Sequence, residues 1–276
     1  MSQPLARPSM ICLDIDGTTI NHAGVLSPTV RDAVQDVVAA GHHVVMATGR
    51  ASVATMPIIA ELGITTGRAV CSNGATTIRL DPNRRRGYKF TQVVTFDPGP
   101  SLRLLREKMP TSLFAVEELG RGYRVSAPFP EGELTGEIRV VPWEELLELP
   151  ATRVTIRDPE TPPADFLRRV QDVGLHGVTY AVGYSSWLDI NPEGVSKASA
   201  LELVRRKLGV DPADTVACGD QRNDIEMLRW AAHGVAMGNA PDEVKAVADH
   251  VTGTVDEDGL ATVLRRVLAA GTEKSA

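Results

Sequence analysis

The chain has 276 residues, a charged fraction of 23% and a formal net charge of -6. That length accommodates one large domain or two smaller ones with a buried core, and the composition is that of an ordinary globular protein. The acidic balance argues against nucleic acid as a partner, and no window approaches the ~20 apolar residues of a membrane span.

The first part of the sequence predicts alternating strands and helices. Short apolar runs at 10–13, 43–47 and 68–71 predict three strands, and residues 56–62 predict a helix between the last two. Such alternation is typical of a parallel sheet.

A helix between the first two strands is predicted from its end signals. Ser27 suits the N-cap, Pro28 suits the first turn, and Gly41 suits the end of the helix. Its apolar residues fall on one face, which we expect to be buried: Val30, Val34, Val37 and Val38.

The last part of the chain repeats the alternation. Strands are predicted at 215–218 and 234–237. Helices are predicted at 196–208, at 224–232, from Pro241 onward and over roughly 258–269. Short strands alternating with helices of this length predict a parallel sheet that is covered on both faces.

The middle of the chain differs in composition. Eleven of the twelve aromatic residues and eleven of the eighteen prolines lie between residues 81 and 187. Strand-like and helical segments alternate there, at 87–96, 99–109, 122–127, 153–157 and 163–173. We therefore predict an α/β fold: a doubly wound, Rossmann-like parallel-sheet core of residues 1–80 and 189–276, with an α+β domain inserted over 81–188.

Polar segments follow four of the predicted core strands. DIDGTT (14–19) follows the first strand, TGR (48–50) the second, SNGA (72–75) the third, and GDQRND (219–224) the strand at 215–218. Ligands of doubly wound sheets bind beyond the carboxyl ends of the strands, so these segments are expected to meet at one edge.

These segments contain four aspartates. Asp14 and Asp16 would project to the same side of an extended backbone, where two carboxylates repel unless a cation or proton separates them. Asp220 and Asp224 stand at a strand-to-helix junction, where either one alone would suit a helix cap. Together the four offer hard oxygen ligands, which suit Mg²⁺ and not Zn²⁺.

Lys197 stands at the start of a predicted helix, directly after Ser196. A cation there opposes the helix dipole at a cost of a few tenths of a kcal/mol, which a solvated lysine tolerates. Alternatively, an anion such as phosphate lies between the lysine and the helix end. Thr48 and the amide of Gly49 offer further phosphate donors, although this pair also suits a routine helix cap.

DIDGT, TGR, the lone Lys197 and GDQRND resemble the four ordered motifs of the haloacid dehalogenase (HAD) superfamily. SNGA (72–75), NPEGVSK (191–197) and GDQRNDIEM (219–227) are similar to segments of its Cof-like phosphatases, which carry a C2-type α+β cap. The resemblance covers both core segments, whereas the middle segment matches only in position, size and class. It implies a HAD core with a cap domain and a phosphoric monoester hydrolase.

The resemblance also implies a role for each matching residue. Asp14 would be the nucleophile, and Asp16 the general acid that later acts as the base. Mg²⁺ would be bound by the Asp14 side chain, the Asp16 backbone carbonyl and Asp220, with Asp224 supporting the site from behind. The phosphate would be bound by Thr48, Gly49, Lys197 and Asn223.

We therefore predict Mg²⁺-dependent hydrolysis of a small phosphorylated metabolite, such as a sugar phosphate, through an aspartyl-phosphate. Arg50 and Asn73 are candidate substrate contacts on the core loops. The cap should close over the core and exclude water. Candidate cap residues facing the site are Arg124, Arg153, Arg157, Tyr184 and Trp187.

Other functions remain open at this point. A phosphomutase on the same fold would return the phosphoryl group to its substrate, and a receiver-like switch would only carry it on an aspartate. A catalytically silent relative would have lost motif residues, and none is missing here. Three cysteines without zinc-like spacing, Cys12, Cys71 and Cys218, suit the core of a cytoplasmic protein, which we expect to be a monomer or homodimer without membrane partners.

Overall fold

The computed structural model of the chain describes residues 9–183 and 186–273, and Tyr184 lies outside this range. The strands, numbered in chain order, are β1 (Met10–Leu13), β2 (His43–Ala47), β3 (Arg68–Cys71), β4 (Thr76–Leu80), β5 (Tyr88–Val93), β6 (Leu113–Glu118), β7 (Gly122–Val125), β8 (Glu137–Val140), β9 (Val154–Arg157), β10 (Val178–Val182), β11 (Trp187–Pro192), β12 (Thr215–Gly219), β13 (His233–Ala236) and β14 (His250–Val251). The helices are α1 (Pro28–Ala39), α2 (Ser52–Glu61), α3 (Gly99–Lys108), α4 (Trp143–Leu147), α5 (Pro163–Val173), α6 (Lys197–Leu208), α7 (Ile225–Trp230), α8 (Asp242–Lys245) and α9 (Gly259–Glu273).

Among the described residues, the larger sheet has eight strands in the order β14-β13-β12-β1-β2-β3-β4-β5. The strands from β14 to β3 are parallel, and β4 and β5 extend the sheet as an antiparallel hairpin. Chain order reverses between β1 and β12, which pair directly. This is the topological switch point at which doubly wound sheets bind their ligands.

Two apolar clusters cover the two faces of this sheet. One joins β1 and β2 to α1 and α9, and the other joins the opposite faces of the strands to α6, α7 and α8. The predicted α/β core with helices on both faces is therefore confirmed.

The first helix has the predicted N-terminal signal. Ser27 Oγ accepts a hydrogen bond from the backbone N–H of Thr29 at 3.2 Å. Val30, Val34 and Val37 are buried as expected. Val38 was expected on the same face but is 38% exposed, because the buried stripe consists of Val30, Ala33, Val34 and Val37, and Val38 lies just outside it around the helix axis.

The second sheet has the order β10-β11-β9-β6-β7-β8. One face packs on α3 and α5 through a third apolar cluster that contains Phe114 and Phe166. The opposite face carries polar side chains that meet the loops at the carboxyl edge of the larger sheet. The predicted segments of this region correspond to β7, β9, α3 and α5.

The strand pairing differs from the predicted segment boundaries. The strand at 87–96 was expected in the inserted domain, but β5 pairs with β4 at the edge of the larger sheet. Its aromatic residues resemble those of the insertion, yet Tyr88 is buried in the same cluster as α1 and β2. At the other boundary, β11 pairs within the smaller sheet through Pro192. By strand pairing, β5 is thus the last strand of the larger sheet before the smaller sheet begins, and β11 is the last strand of the smaller sheet.

Candidate active site

The loops after β1 and β12 bring three buried carboxylates together beside one buried lysine. Oxygens of Asp14, Asp220 and Asp224 lie within 4.8 Å of one another. Lys197, at the first position of α6, is 1% exposed and points into this cluster. The Ser196 side chain caps the same helix by accepting from the backbone N–H of Ser199.

Lys197 bridges two of the three carboxylates. Its Nζ donates to Asp14 Oδ1 at 2.6 Å and to Asp224 Oδ1 at 2.7 Å. An ammonium has three donors, so a third N–H remains for another acceptor. The second oxygen of Asp14, Oδ2, has no hydrogen-bond partner among the residues that the structure describes.

Asp224 and Asp220 use their oxygens differently. Asp224 Oδ2 accepts from the backbone N–H groups of Asp220 and Gln221 at 3.0 and 2.9 Å, so both oxygens of Asp224 are engaged by the protein. Asp220 accepts from Thr18 Oγ1 at 3.3 Å and from the side-chain amides of Gln221 and Asn239, both at 3.1 Å. These partners are neutral, so the charge of Asp220 is uncompensated by direct contacts.

The pKa shifts of the buried residues indicate that this cluster favours additional positive charge. Burial, and then the Asp224 carboxylate, raise the pKa of Asp14 well above its usual value, and the same two causes raise the pKa of Asp220 to about 6. Burial alone would lower the pKa of Lys197, but Asp14 and Asp224 outweigh it and raise that pKa. Three carboxylates against one ammonium favour binding of protons or of a cation.

The Asp16 carboxylate lies outside the cluster of three buried carboxylates, although Asp16 lines the same cavity as Asp14. Its carboxylate is half exposed and forms a bidentate ion pair with Arg50, at 2.8 Å to Nε and 2.6 Å to Nη2. The turn after β1 separates the two side chains, because the extended backbone ends at β1.

The loop after β2 contains Thr48 and Gly49, the predicted phosphate donors. Thr48 is 1% exposed, and its Oγ1 accepts from the backbone N–H of Arg50 at 3.0 Å. Its hydroxyl proton is thus not used by that contact. Gly49 packs closely, since a Cβ there would lie 3.1 Å from Asn73 Oδ1.

Two predicted residues, Asn73 and Asn223, bind each other. Asn223 Nδ2 donates to Asn73 Oδ1 at 2.9 Å, and Asn223 Oδ1 is buried without a hydrogen-bond partner among the described residues. Asn73 has a left-handed backbone (φ 53°), and its Nδ2 donates to Asp189 and Asn191 of β11, both at 3.3 Å. Asn73 therefore links the loop after β12 to the smaller sheet.

A cavity of about 450 Å³ lies between these loops and the smaller sheet. Asp14, Asp16 and Arg50 line its core side, and Arg153 and Trp187 line the opposite side. The other two described cap candidates do not border this cavity. Arg157 donates to Glu133 at 3.0 Å, and Arg124 donates to the backbone carbonyl of Glu145.

Sequence reasoning missed Asn239. Its Nδ2 donates to the Gly17 carbonyl at 2.9 Å and to Asp220 Oδ2 at 3.1 Å, so it joins the loops after β1 and β12. The sequence could have indicated this residue, because Asn239 follows the predicted strand at 234–237 and so lies at the same sheet edge as the other polar segments. It also missed Glu117, whose buried carboxylate accepts from Ser72 Oγ at 3.0 and 2.8 Å. No local pattern marks that residue.

The model of the haloacid dehalogenase-like hydrolase family matches residues 11–89 and 142–264. The chain belongs to this family. Its Cof-like relatives include phosphatases, and this HAD protein is a hydrolase of the phosphatase type. Membership in an enzyme family over both core segments disfavours the receiver-like switch.

Named relatives of this HAD protein cover nearly the whole chain. It is 32% identical to the pyridoxal phosphate phosphatase YbhA of Escherichia coli, over 91% of this chain and 96% of the relative. It is 30% identical to the 5-amino-6-(5-phospho-D-ribitylamino)uracil phosphatase YcsE of Bacillus subtilis, over 93% and 94%. The solved HAD phosphatase BT1666 of Bacteroides thetaiotaomicron superposes with a TM-score of 0.77 at 30% identity, over 94% of this chain and 95% of that one. Among the described residues, no helix is long and apolar enough to cross a bilayer.

Proposed function

We propose that the protein is a Mg²⁺-dependent phosphatase in which Asp14 attacks the phosphorus of a small phosphorylated metabolite. One observation carries this proposal: Asp14 is buried, one of its oxygens is fixed by Lys197, and the other has no described partner. A fixed carboxylate with one free oxygen at the floor of a cavity is suited to nucleophilic attack. The cavity is of a size that suits a small metabolite.

The donor set fits a hard divalent cation. Carboxylate oxygens converge from Asp14 and Asp220, with neither histidine nor cysteine among the acidic residues grouped there in the described part of the chain. These two carboxylates and the Asp16 backbone carbonyl would hold Mg²⁺, and Asp224 would support them, because both its oxygens are already engaged. When bound, Mg²⁺ would neutralise charge on the phosphoryl oxygens and orient them for attack.

In the first step Asp14 Oδ2 forms a bond to phosphorus and the ester oxygen leaves. The third N–H of Lys197, the Thr48 hydroxyl and the Gly49 amide would stabilise the phosphoryl oxygens. Asp16 gives its proton to the leaving oxygen.

In the second step Asp16, now ionised, accepts a proton from a water molecule that attacks the aspartyl-phosphate. This restores the Asp14 carboxylate and releases inorganic phosphate. The smaller sheet and its helices would act as the cap that limits access of water to the intermediate. On the strand pairing, we place the cap between about residues 94 and 193 rather than at 81–188.

The substrate is expected to be a phosphorylated metabolite of modest size. The named relatives act on pyridoxal phosphate and on a phosphorylated ribitylaminouracil, which supports this class. Arg50 and Trp187 line the cavity in which the leaving group would lie, whereas the predicted contact Asn73 does not line it and uses its amide to bind Asp189, Asn191 and Asn223. A cytoplasmic location and a monomeric or homodimeric state remain predictions.

The test is a phosphate-release screen over phosphorylated metabolites, with Mg²⁺ and with a chelator. Asp14→Asn keeps the shape of the side chain but removes the nucleophile, so turnover should fall by several orders of magnitude with the fold intact by circular dichroism. Full activity in that variant, or in the presence of chelator, would contradict the mechanism. A phosphomutase would instead convert its substrate without stoichiometric release of phosphate.

A further inference from the structure

A row of four buried polar side chains crosses the inner face of the cap sheet. It consists of Asn191 in β11, Arg153 just before β9, Glu117 in β6 and Tyr123 in β7. Glu117 lies directly opposite Tyr123, and its backbone N–H donates to the carbonyl of Arg153. All four are at most 4% exposed. We call these four residues the polar row.

The polar row binds the core loops directly. Ser72 Oγ donates to Glu117, Asn191 Nδ2 donates to the Ser72 carbonyl at 2.9 Å, and Arg153 Nη1 donates to the Gly49 carbonyl. These contacts reach the segments that follow β2 and β3. Gly49 is the residue between Thr48, a phosphate donor, and Arg50, the partner of Asp16.

Every nitrogen of the Arg153 guanidinium has a described partner. Its Nε donates to Glu117 at 3.3 Å, Nη1 lies 3.4 Å from Asp189 Oδ2, and Nη2 donates to the Tyr123 hydroxyl. A buried ion pair gains little stability over apolar residues of the same volume, because both charges lose their hydration. The planar guanidinium of Arg153 does, however, fix the directions of its hydrogen bonds more closely than a lysine ammonium would.

The geometry points to Arg153 as a positioning residue: held by Glu117 and Asp189, it fixes the Gly49 carbonyl and thereby the phosphate-binding loop. The inference rests on the proposed function. On this inference, the cap domain both covers the active site and holds the phosphate-binding loop in position. If Arg153 no longer donates to the Gly49 carbonyl, the Thr48 hydroxyl and the Gly49 amide are no longer held in place for the phosphate. The position of the neighbouring residue Arg50 changes as well.

Two variants separate geometry from folding. Arg153→Lys keeps the charge beside Glu117 but cannot reach the Gly49 carbonyl, Glu117 and Tyr123 together. The double variant Glu117→Gln/Arg153→Met removes both charges of the Glu117 pair, and Asp189 keeps the hydrogen bonds that it accepts from Asn73, Thr155 and Trp187. The matched control is Glu118→Gln/Arg139→Met. It removes a neighbouring ion pair of the cap (3.2 Å) that has no contact with a core loop among the described residues.

The measurements are kcat and KM for an ester found in the screen, the inhibition constant of inorganic phosphate, and the thermal midpoint. We expect both Arg153 variants to fold, with kcat lowered roughly ten- to hundredfold and phosphate inhibition weakened about tenfold or more, since ~1 Å of misplacement has effects of this order. The control should match the wild type in kcat and in phosphate inhibition.

A lowered thermal midpoint with unchanged kcat and unchanged phosphate inhibition would overturn the inference and leave Arg153 a purely structural residue. If Arg153→Lys were inactive and the double variant fully active, the inference would be overturned too. Failure of the proposed function looks different: the wild type would then release no phosphate, or Asp14→Asn would remain active.

Discussion

Gly17 offers a sharp test of the cation site. It lies in the turn after β1 with φ +76°, and a Cβ built there would lie 2.3 Å from Asp220 Oδ2 and 2.8 Å from its Cγ. Gly24 has nearly the same backbone, with φ +78°, but its Cβ would have no atom within 4 Å. Gly17→Ala and Gly24→Ala thus share the conformational cost and differ only in the contact with Asp220.

The expected magnitudes follow from these distances. A left-handed backbone costs an alanine about 1–2 kcal/mol, so both variants should lose stability by that amount. Ordinary contact begins near 3.4 Å, so Asp220 must retreat by about 1 Å in Gly17→Ala alone. A displacement of that size at a reacting centre lowers turnover by about 10²-fold. It would also weaken the hydrogen bonds that hold Asp220 to Thr18 and Asn239.

The assay is a Mg²⁺ titration of thermal stability for both variants, followed by phosphate release at saturating Mg²⁺. Gly24→Ala should have a lower thermal midpoint than the wild type in the absence of Mg²⁺, but the same dependence of that midpoint on Mg²⁺ concentration. Gly17→Ala should need much more Mg²⁺ and turn over poorly. If the two variants were indistinguishable in Mg²⁺ dependence and in turnover, Asp220 would not be a ligand of the cation.

Two further predictions concern the charges of the site. Lys197→Met leaves the buried carboxylates of Asp14 and Asp224 without their ammonium, so the chelator-treated protein should lose about 3–5 kcal/mol of stability. At about 2–4 °C per kcal/mol its melting midpoint should fall by roughly 6–20 °C, and Mg²⁺ should restore part of the loss; an unchanged midpoint in chelator would contradict this. Because the pKa of Asp220 is raised to about 6, protons compete with the cation below that pH. The Mg²⁺ concentration for half-maximal stabilisation should therefore rise up to about tenfold per pH unit below 6, and a flat profile down to pH 5 would refute it.

Local rules were sufficient for much of the core. The N-cap at Ser27 and the start of the helix beside Ser196 are decided by residues close in the chain, and the structure has both. The polar segments after β1, β2, β3 and β12 come to one edge because parallel strands with helical crossovers end on the same side.

Local rules failed where composition misled. Tyr88 and Phe90 belong by composition to the aromatic-rich insertion, but the hairpin of β4 and β5 returns to the larger sheet and buries Tyr88 against its core. The period of a strand tells which residues share a face, and gives no information on which sheet the strand will join.

The sequence by itself determined the alternation of strands and helices, the family, and the identity of the polar residues at the ends of the strands. Tertiary structure alone decided the partners of those residues: Lys197 for Asp14, Asn239 for Asp220 and Arg50 for Asp16. The first of these contacts spans 183 positions of the chain. Helix and strand periods act over a few residues, whereas charge pairing between distant segments is fixed only when the packed sheets bring the side chains within hydrogen-bonding distance.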